Sequence, residues 1–151
     1  MSATKLEELV PIKPGVDVDN LNPDFYVALM RMLKDMPVSH RNTLTIGSGK
    51  RSSWAQWRGW IRHRFFWGPV AARPGTSMHE KGLAVDFHPH TGHSDDPRNH
   101  SFRVALNWCY KHGPKFGIHG LTDRYGNHWK KDLVHFEYDP LLRKGENHEK
   151  A

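Results

Sequence analysis

Ser77-Met78-His79-Glu80-Lys81-Gly82-Leu83-Ala84-Val85-Asp86 is the stretch on which the reading of this chain turns. From Leu83 onward the side chains alternate. Leu83, Val85 and Phe87 fall on one side, Ala84 and Asp86 on the other, which is the period of a half-buried strand. Ala84 is small enough for another group to come close. A carboxylate set between apolar neighbours needs a cation or hydrogen-bond donors. Gly82 permits a tight turn that brings His79 back over the strand, where it converges with Asp86. A second stretch, Asp132-Leu133-Val134-His135-Phe136-Glu137-Tyr138, follows the same logic. Val134, Phe136 and Tyr138 alternate with His135 and Glu137, and Asp132 stands three residues before His135. Two histidines and one carboxylate leave the fourth position of a tetrahedral zinc to water, the pattern of catalytic rather than structural sites. Asp132 is then placed to take the proton of that water. On spacing alone the bland readings stay open. A His beside a strand is commonly just hydrogen-bonded, and Asp86 can pair with any of the many arginines.

Around these two stretches the chain reads as one domain over residues 1–151. Residues 1–20 form an extended lead-in, since Pro11 and Pro14 oppose helix. Asn22 is an N-cap and Pro23 opens a helix whose Phe25, Leu29, Met32 and Met36 share a face before Pro37 stops it. Leu44 to Ile46 is a short strand. A second helix runs from Ser52 to about Phe66, with Trp54, Trp57, Ile61 and Phe65 as its expected buried face. His88 to Asn99 reads as a surface loop, and a third helix covers about His100 to His112, with Cys109 in the core. Gly113 to Lys131 reads as irregular, and the tail 143–151 as frayed. Mixed helices and strands without a βαβ rhythm predict an α+β fold, a small antiparallel sheet packed with about three helices.

Composition narrows the class. A length of 151 residues supports a core without staples. A single Cys excludes both an internal disulfide framework and a cysteine-based zinc site. Lys and Arg exceed Asp and Glu by 22 − 16 = 6, which suits an anionic partner. The first twenty residues carry acids and no apolar h-region, so synthesis without a secretory signal, in the cytoplasm, is expected.

The order Ser77-x-His79-x-x-Gly82-x-Ala84-x-Asp86, then Asp132-x-x-His135, resembles the D-Ala-D-Ala carboxypeptidase and VanY-like zinc metallopeptidases. That wider group also takes in lysostaphin-type enzymes and the hedgehog signalling domain. Upstream, Ser48-Gly49-Lys50-Arg51-Ser52 with Gln56 resembles the family's Ser-Gly-x-Arg-Ser…Gln segment, so three matches in order span Ser48 to Tyr138. The resemblance implies the fold of those peptidases. It implies His79, Asp86 and His135 as zinc ligands and Asp132 as the acid/base that activates water and protonates the leaving amine. It implies Arg51 as the charge that polarises the scissile carbonyl and stabilises the oxyanion. Ser77 and Gln56 match substrate or supporting positions, against a turn hydroxyl as the alternative for Ser77. Two departures stand out. The acid before the last ligand is usually Glu, and Asp132 is one methylene shorter, as in some cell-wall-lytic phage members. The residue before that ligand is often Trp and here is Val134, which alters the adjacent substrate pocket.

The function this implies is zinc-dependent hydrolysis of peptidoglycan stem peptides, in the form of a monomeric phage endolysin. Its type would be an L-Ala–D-Glu endopeptidase or a D-Ala carboxypeptidase, working from the host cytoplasm onto the wall. Anionic envelope polymers or lipids are the expected further partners, and nucleic acid is not. The alternatives are a cytoplasmic D-Ala-D-Ala dipeptidase, a metal-dependent nuclease using Asn107 and His112, and a wall-binding module without catalysis. Of the twelve histidines, His88, His90 and His93 are read as cleft-rim or exposed residues and His128 as a loop residue.

Overall fold

The computed structural model of the chain describes residues 4–66, 77–90, 100–121 and 132–142, with seven residues of the helix at 53–66 described by their backbone alone. Helix α1 (Pro23–Asp35) starts as the sequence dictates. The Asn22 side chain accepts the N–H groups of Asp24 and Phe25 at 2.9 and 3.2 Å, and Pro23 occupies a position where its missing N–H costs nothing. Phe25, Leu29, Met32 and Met36 are all buried along one stripe. Pro37 ends that helix and begins the single turn α2 (Val38–Arg41). Then come β1 (Leu44–Ser48), α3 (Ser53–Phe66), β2 (Ala84–Pro89), α4 (His100–His112), β3 (Ile118–Gly120) and β4 (His135–Tyr138). The four strands form one sheet in the order β1-β2-β4-β3, each pair antiparallel. The class is therefore α+β with a small antiparallel sheet, and one of the four α-helices among the described residues is a single turn.

One face of the sheet and the helices α1 and α4 enclose the core. Ile46 faces Phe87 across β1 and β2, and Val85 faces Phe136 across β2 and β4; all four are fully buried. Phe136 packs against Phe87 and Tyr110 with ring centroids at 5.6 and 5.1 Å. Burying each such ring contributes on the order of 2–3 kcal/mol. Cys109 on α4 is fully buried, and burial pushes its thiol well above the usual range, so it is an inert core residue. The residues before α1 pack onto the same body. Leu6, Val10, Val18 and Leu21 are buried, and Ile12 and Asp17 bridge to Ile46 and Lys50, which covers the outer edge of β1.

Four details differ from the sequence reading. The stretch expected to be irregular contains β3, because Ile118, His119 and Gly120 pair with β4. His88 and Pro89 belong to β2 rather than to a loop, since they pair with Thr45 and Leu44. The last strand begins at His135, one residue later than the alternation from Val134 suggested. On α3, Trp54 and Phe65 are 68% and 60% exposed rather than buried. Aromatic and basic residues alternate along that helix, so its sequence singles out no face. The segments 67–76, 91–99 and 122–131 and the tail 143–151 lie outside the described residues, and with them His93, His128 and Trp129. Among the described residues no helix is long and apolar enough to cross a membrane.

Candidate metal centre

The face of the sheet opposite the core carries a row of polar side chains. Asp86 at the middle of β2 lies opposite Ser48 on β1 and His135 on β4. A register shift between Ile46 and Ser48 sets Ser48 at that position. The next row along holds Ala84, Glu137 and His119. His79 arrives from outside the sheet on the turn after Ser77. Gly82 takes a left-handed φ of 71°, a conformation that a side chain would strain. Its N–H and that of Arg51 both donate to the His79 carbonyl, at 3.2 and 3.0 Å. The Ser77 hydroxyl accepts the His79 N–H at 3.2 Å. Three separate contacts thus fix the backbone of His79 over β2.

Three side-chain atoms then meet. His79 Nε2 is 3.1 Å from His135 Nδ1 and 3.3 Å from Asp86 Oδ1. His135 Nδ1 is 2.9 Å from Asp86 Oδ1. Both imidazoles are buried, at 4% and 3% exposure. For His79 the outer nitrogen settles the tautomer. His79 Nδ1 lies 2.8 Å from the Gly49 carbonyl, which can only accept, so this nitrogen carries the proton. His135 meets a carboxylate oxygen at 2.9 Å on each side, Glu137 Oε1 at Nε2 and Asp86 Oδ1 at Nδ1. With the His135 proton on the Glu137 side, both inward nitrogens present lone pairs beside the Asp86 carboxylate oxygen. Such a buried cluster of acceptors calls for a cation, and the atoms lie within 4.8 Å of one another, close enough to share one metal ion. Gly49 is itself required: a side chain there would meet the Asp17 carbonyl.

The electrostatics agree. Burial would lower the pKa of His135, but hydrogen bonds to Asp86 and Glu137 outweigh it and raise the group to about 9. Burial likewise pushes Asp86 up, yet the hydrogen bonds from His135 and His79 hold it well below the usual carboxylate range. Without a metal, the pocket thus recruits a proton to supply positive charge.

The remaining residues named from the sequence fall around this cluster in different ways. Asp132 stands at the rim: its Oδ2 is 3.8 Å from His135 Nδ1 and its side chain is 30% exposed. Arg51 is tied to the same place by its backbone bond to His79 and by a guanidinium donation to the Ser48 hydroxyl at 3.1 Å. Ser77 is 5% exposed and braces the His79 turn. Gln56 falls on α3, and its side chain lies outside the described residues. His88 shares the face of Asp86, its ring lying against Gly47. His90 is exposed, its N–H bonded to the Thr43 carbonyl. Asn107 and His112 sit on α4, where the His112 ring packs on Trp108. Two residues escaped the sequence reading. Glu137 is 8% exposed and bonds His135; its signal was present, two residues from His135 on the same side of a strand. His119 is buried and donates to the Asp139 carbonyl at 3.1 Å; nothing marked it, because β3 was not foreseen.

No protein-family model matches this sequence, and no curated protein does. Solved structures do match its fold. The LdcB LD-carboxypeptidase, described for its peptidoglycan recognition, is 17% identical with a TM-score of 0.64, over 87% of this chain and 66% of that one. The vancomycin-resistance D,D-dipeptidase VanXYg, solved with a D-Ala-D-Ala phosphinate analog, is 20% identical with a TM-score of 0.57, over 86% and 61%. A mutant of the D,D-pentapeptidase VanY from a VanB-type resistance cassette, in complex with Zn(II), is 18% identical with a TM-score of 0.53, over 85% and 82%. The chain thus spans under two thirds of the first two proteins. The α+β fold of these peptidases is the one found here, in line with the resemblance drawn from His79, Asp86 and His135.

Proposed function

We propose that this chain is a zinc-dependent peptidase that hydrolyses peptidoglycan stem peptides. The observation that carries the reading is the convergence of His79 Nε2, His135 Nδ1 and Asp86 Oδ1, both imidazoles having their outer N–H groups committed elsewhere. Two imidazole nitrogens and one carboxylate oxygen form a donor set suited to zinc, with a position left open for chemistry. A zinc ion held there supplies Lewis-acid chemistry: it acidifies water and polarises a carbonyl. The rest of the work belongs to side chains. Asp132, at the solvent-facing rim, accepts the proton of the attacking water and returns it to the leaving amine. Arg51 carries a permanent charge and offsets the negative charge that develops on the carbonyl oxygen. His79 and His135 keep their inner lone pairs available because their protons are held outward.

The substrate class rests on the fold shared with peptidases named for LD-carboxypeptidase and D-Ala-D-Ala work. The endolysin form of the proposal rests on Asp132 at the acid position and on the net charge of +6, which would draw the protein to an anionic envelope. Which bond is cut follows from the product. Purified peptidoglycan incubated with the protein should yield stem peptides shortened at one defined bond, read by mass spectrometry of the released fragments. Loss of a terminal D-Ala marks a carboxypeptidase, and separation of L-Ala from D-Glu an endopeptidase. Fragments identical to those of untreated wall would contradict the proposal.

A further inference from the structure

Glu137 has no part in the reaction just proposed, yet it is a buried carboxylate, and such a group is costly unless donors meet it. Its side chain is 11% exposed. It lies two residues from His135 on the same face of β4, and its register partner Ala84 leaves room for it. Its Oε1 is 2.9 Å from His135 Nε2, the nitrogen that points away from the cluster. That placement excludes Glu137 as a ligand to the same ion, because the imidazole ring stands between them.

A neutral imidazole carries one N–H. A proton on His135 Nδ1 would fill the cluster side and turn the Nε2 lone pair against a carboxylate. A proton on Nε2 satisfies Glu137 and leaves Nδ1 open toward Asp86 and His79, where a cation shared with the Asp86 carboxylate would take both acceptors. We propose that Glu137 is a positioning residue of the centre: it holds His135 as the Nε2–H tautomer with Nδ1 turned inward, and so sets the affinity of the site for metal. The role rests on the metal site proposed above and deepens it. The two histidines are then unequal. His79 donates to a neutral backbone carbonyl, that of Gly49, whereas His135 donates to an ion, which makes it the more basic ligand.

The test uses the full chain as wild type, Glu137→Gln and Glu137→Ala. Zinc affinity is measured by competition with a chromophoric chelator, and ring protonation in the zinc-loaded protein by long-range 1H–15N NMR of the histidines. Glu137→Ala should bind zinc about 10–100-fold more weakly, and Glu137→Gln should lose far less, since its amide oxygen still accepts. The loaded wild type should show His135 protonated at Nε2 and not at Nδ1. Equal zinc affinity in wild type and Glu137→Ala would overturn the role while leaving the metal site standing, whereas a proton on Nδ1 of the loaded protein would remove that nitrogen as a ligand and overturn the site as drawn, and this role with it. Failure of the wild type to bind zinc at all would overturn the metal site, and this role with it. A purely structural Glu137 would lower the unfolding temperature of the metal-free protein and leave tautomer and affinity as they were. Should Glu137→Ala not fold, Glu137→Leu, of similar size and accepting nothing, takes its place in the affinity measurement, with the same fall expected and an unchanged affinity overturning the role.

Discussion

The two faces of the β2–β4 ladder are made by neighbouring residues of the same strands and serve opposite ends. One face carries Val85, Phe87 and Phe136, none of them exposed. The other carries Asp86, His135 and Glu137, joined by hydrogen bonds of 2.9 Å. The apolar face fixes where the backbones lie. The polar face uses those fixed positions to hold acceptors together that would otherwise repel one another. Stability should therefore sit mainly on one side of the ladder and chemistry on the other.

The largest expected effect is on the chemical side. His79→Ala should lower amine release from peptidoglycan by more than about 10⁴-fold, roughly 5 kcal/mol of barrier. Its circular dichroism should stay that of the wild type. Loss of folding together with activity would erase the contrast between the faces. Asp132→Asn should lower turnover by about 10²–10⁴-fold with zinc still bound at one per chain, measured by metal analysis beside the rate. On the apolar side, Phe136→Ala should destabilise by about 3–5 kcal/mol, read by urea unfolding. A loss no greater than that of His79→Ala would show that the polar face carries as much of the stability.

The metal-free protein should also report its cluster through pH. The His135 pKa rises from 6.5 to about 9 on folding. Its stabilising contribution is then complete below pH 6.5 and lost as pH climbs through 9, about 3 kcal/mol in all. Asp86 runs the other way: its pKa is depressed, so its contribution holds above the ordinary carboxylate range and fails only in strong acid. Thermal unfolding with chelator present should fall steadily over pH 6.5–9. A flat profile would mean that the acceptors are not coupled. The smallest effect is expected at an exposed surface position: Trp54→Ala, at 68% exposure, should shift stability by no more than about 0.5 kcal/mol.

Strict alternation made the ladder legible. Leu83 to Phe87 and Val134 to Tyr138 each state in sequence which side is apolar and which is polar, and Gly82 states where the chain turns. Asn22 and Pro23 marked the start of α1 for equally local reasons. Helix α3 gives no such signal, since Trp, Arg and Phe follow one another through every face, and Trp54 and Phe65, expected on a buried side, are exposed. Strand β3 is three residues long and exists through its pairing with β4, a partner some fifteen residues away that no local pattern announces. The cluster itself needed both kinds of information: residue types from the sequence, and from the fold the Gly49 carbonyl and Glu137 that set the tautomers.

On the function proposed above, the polar face works as a metal-dependent peptidase. Purified peptidoglycan should be digested by the wild-type protein, by protein stripped with chelator, and by stripped protein after zinc is returned, counting new amino termini in each. Release that stops on stripping and recovers with zinc is the expected result. Release that continues unchanged in the stripped protein would contradict the claim.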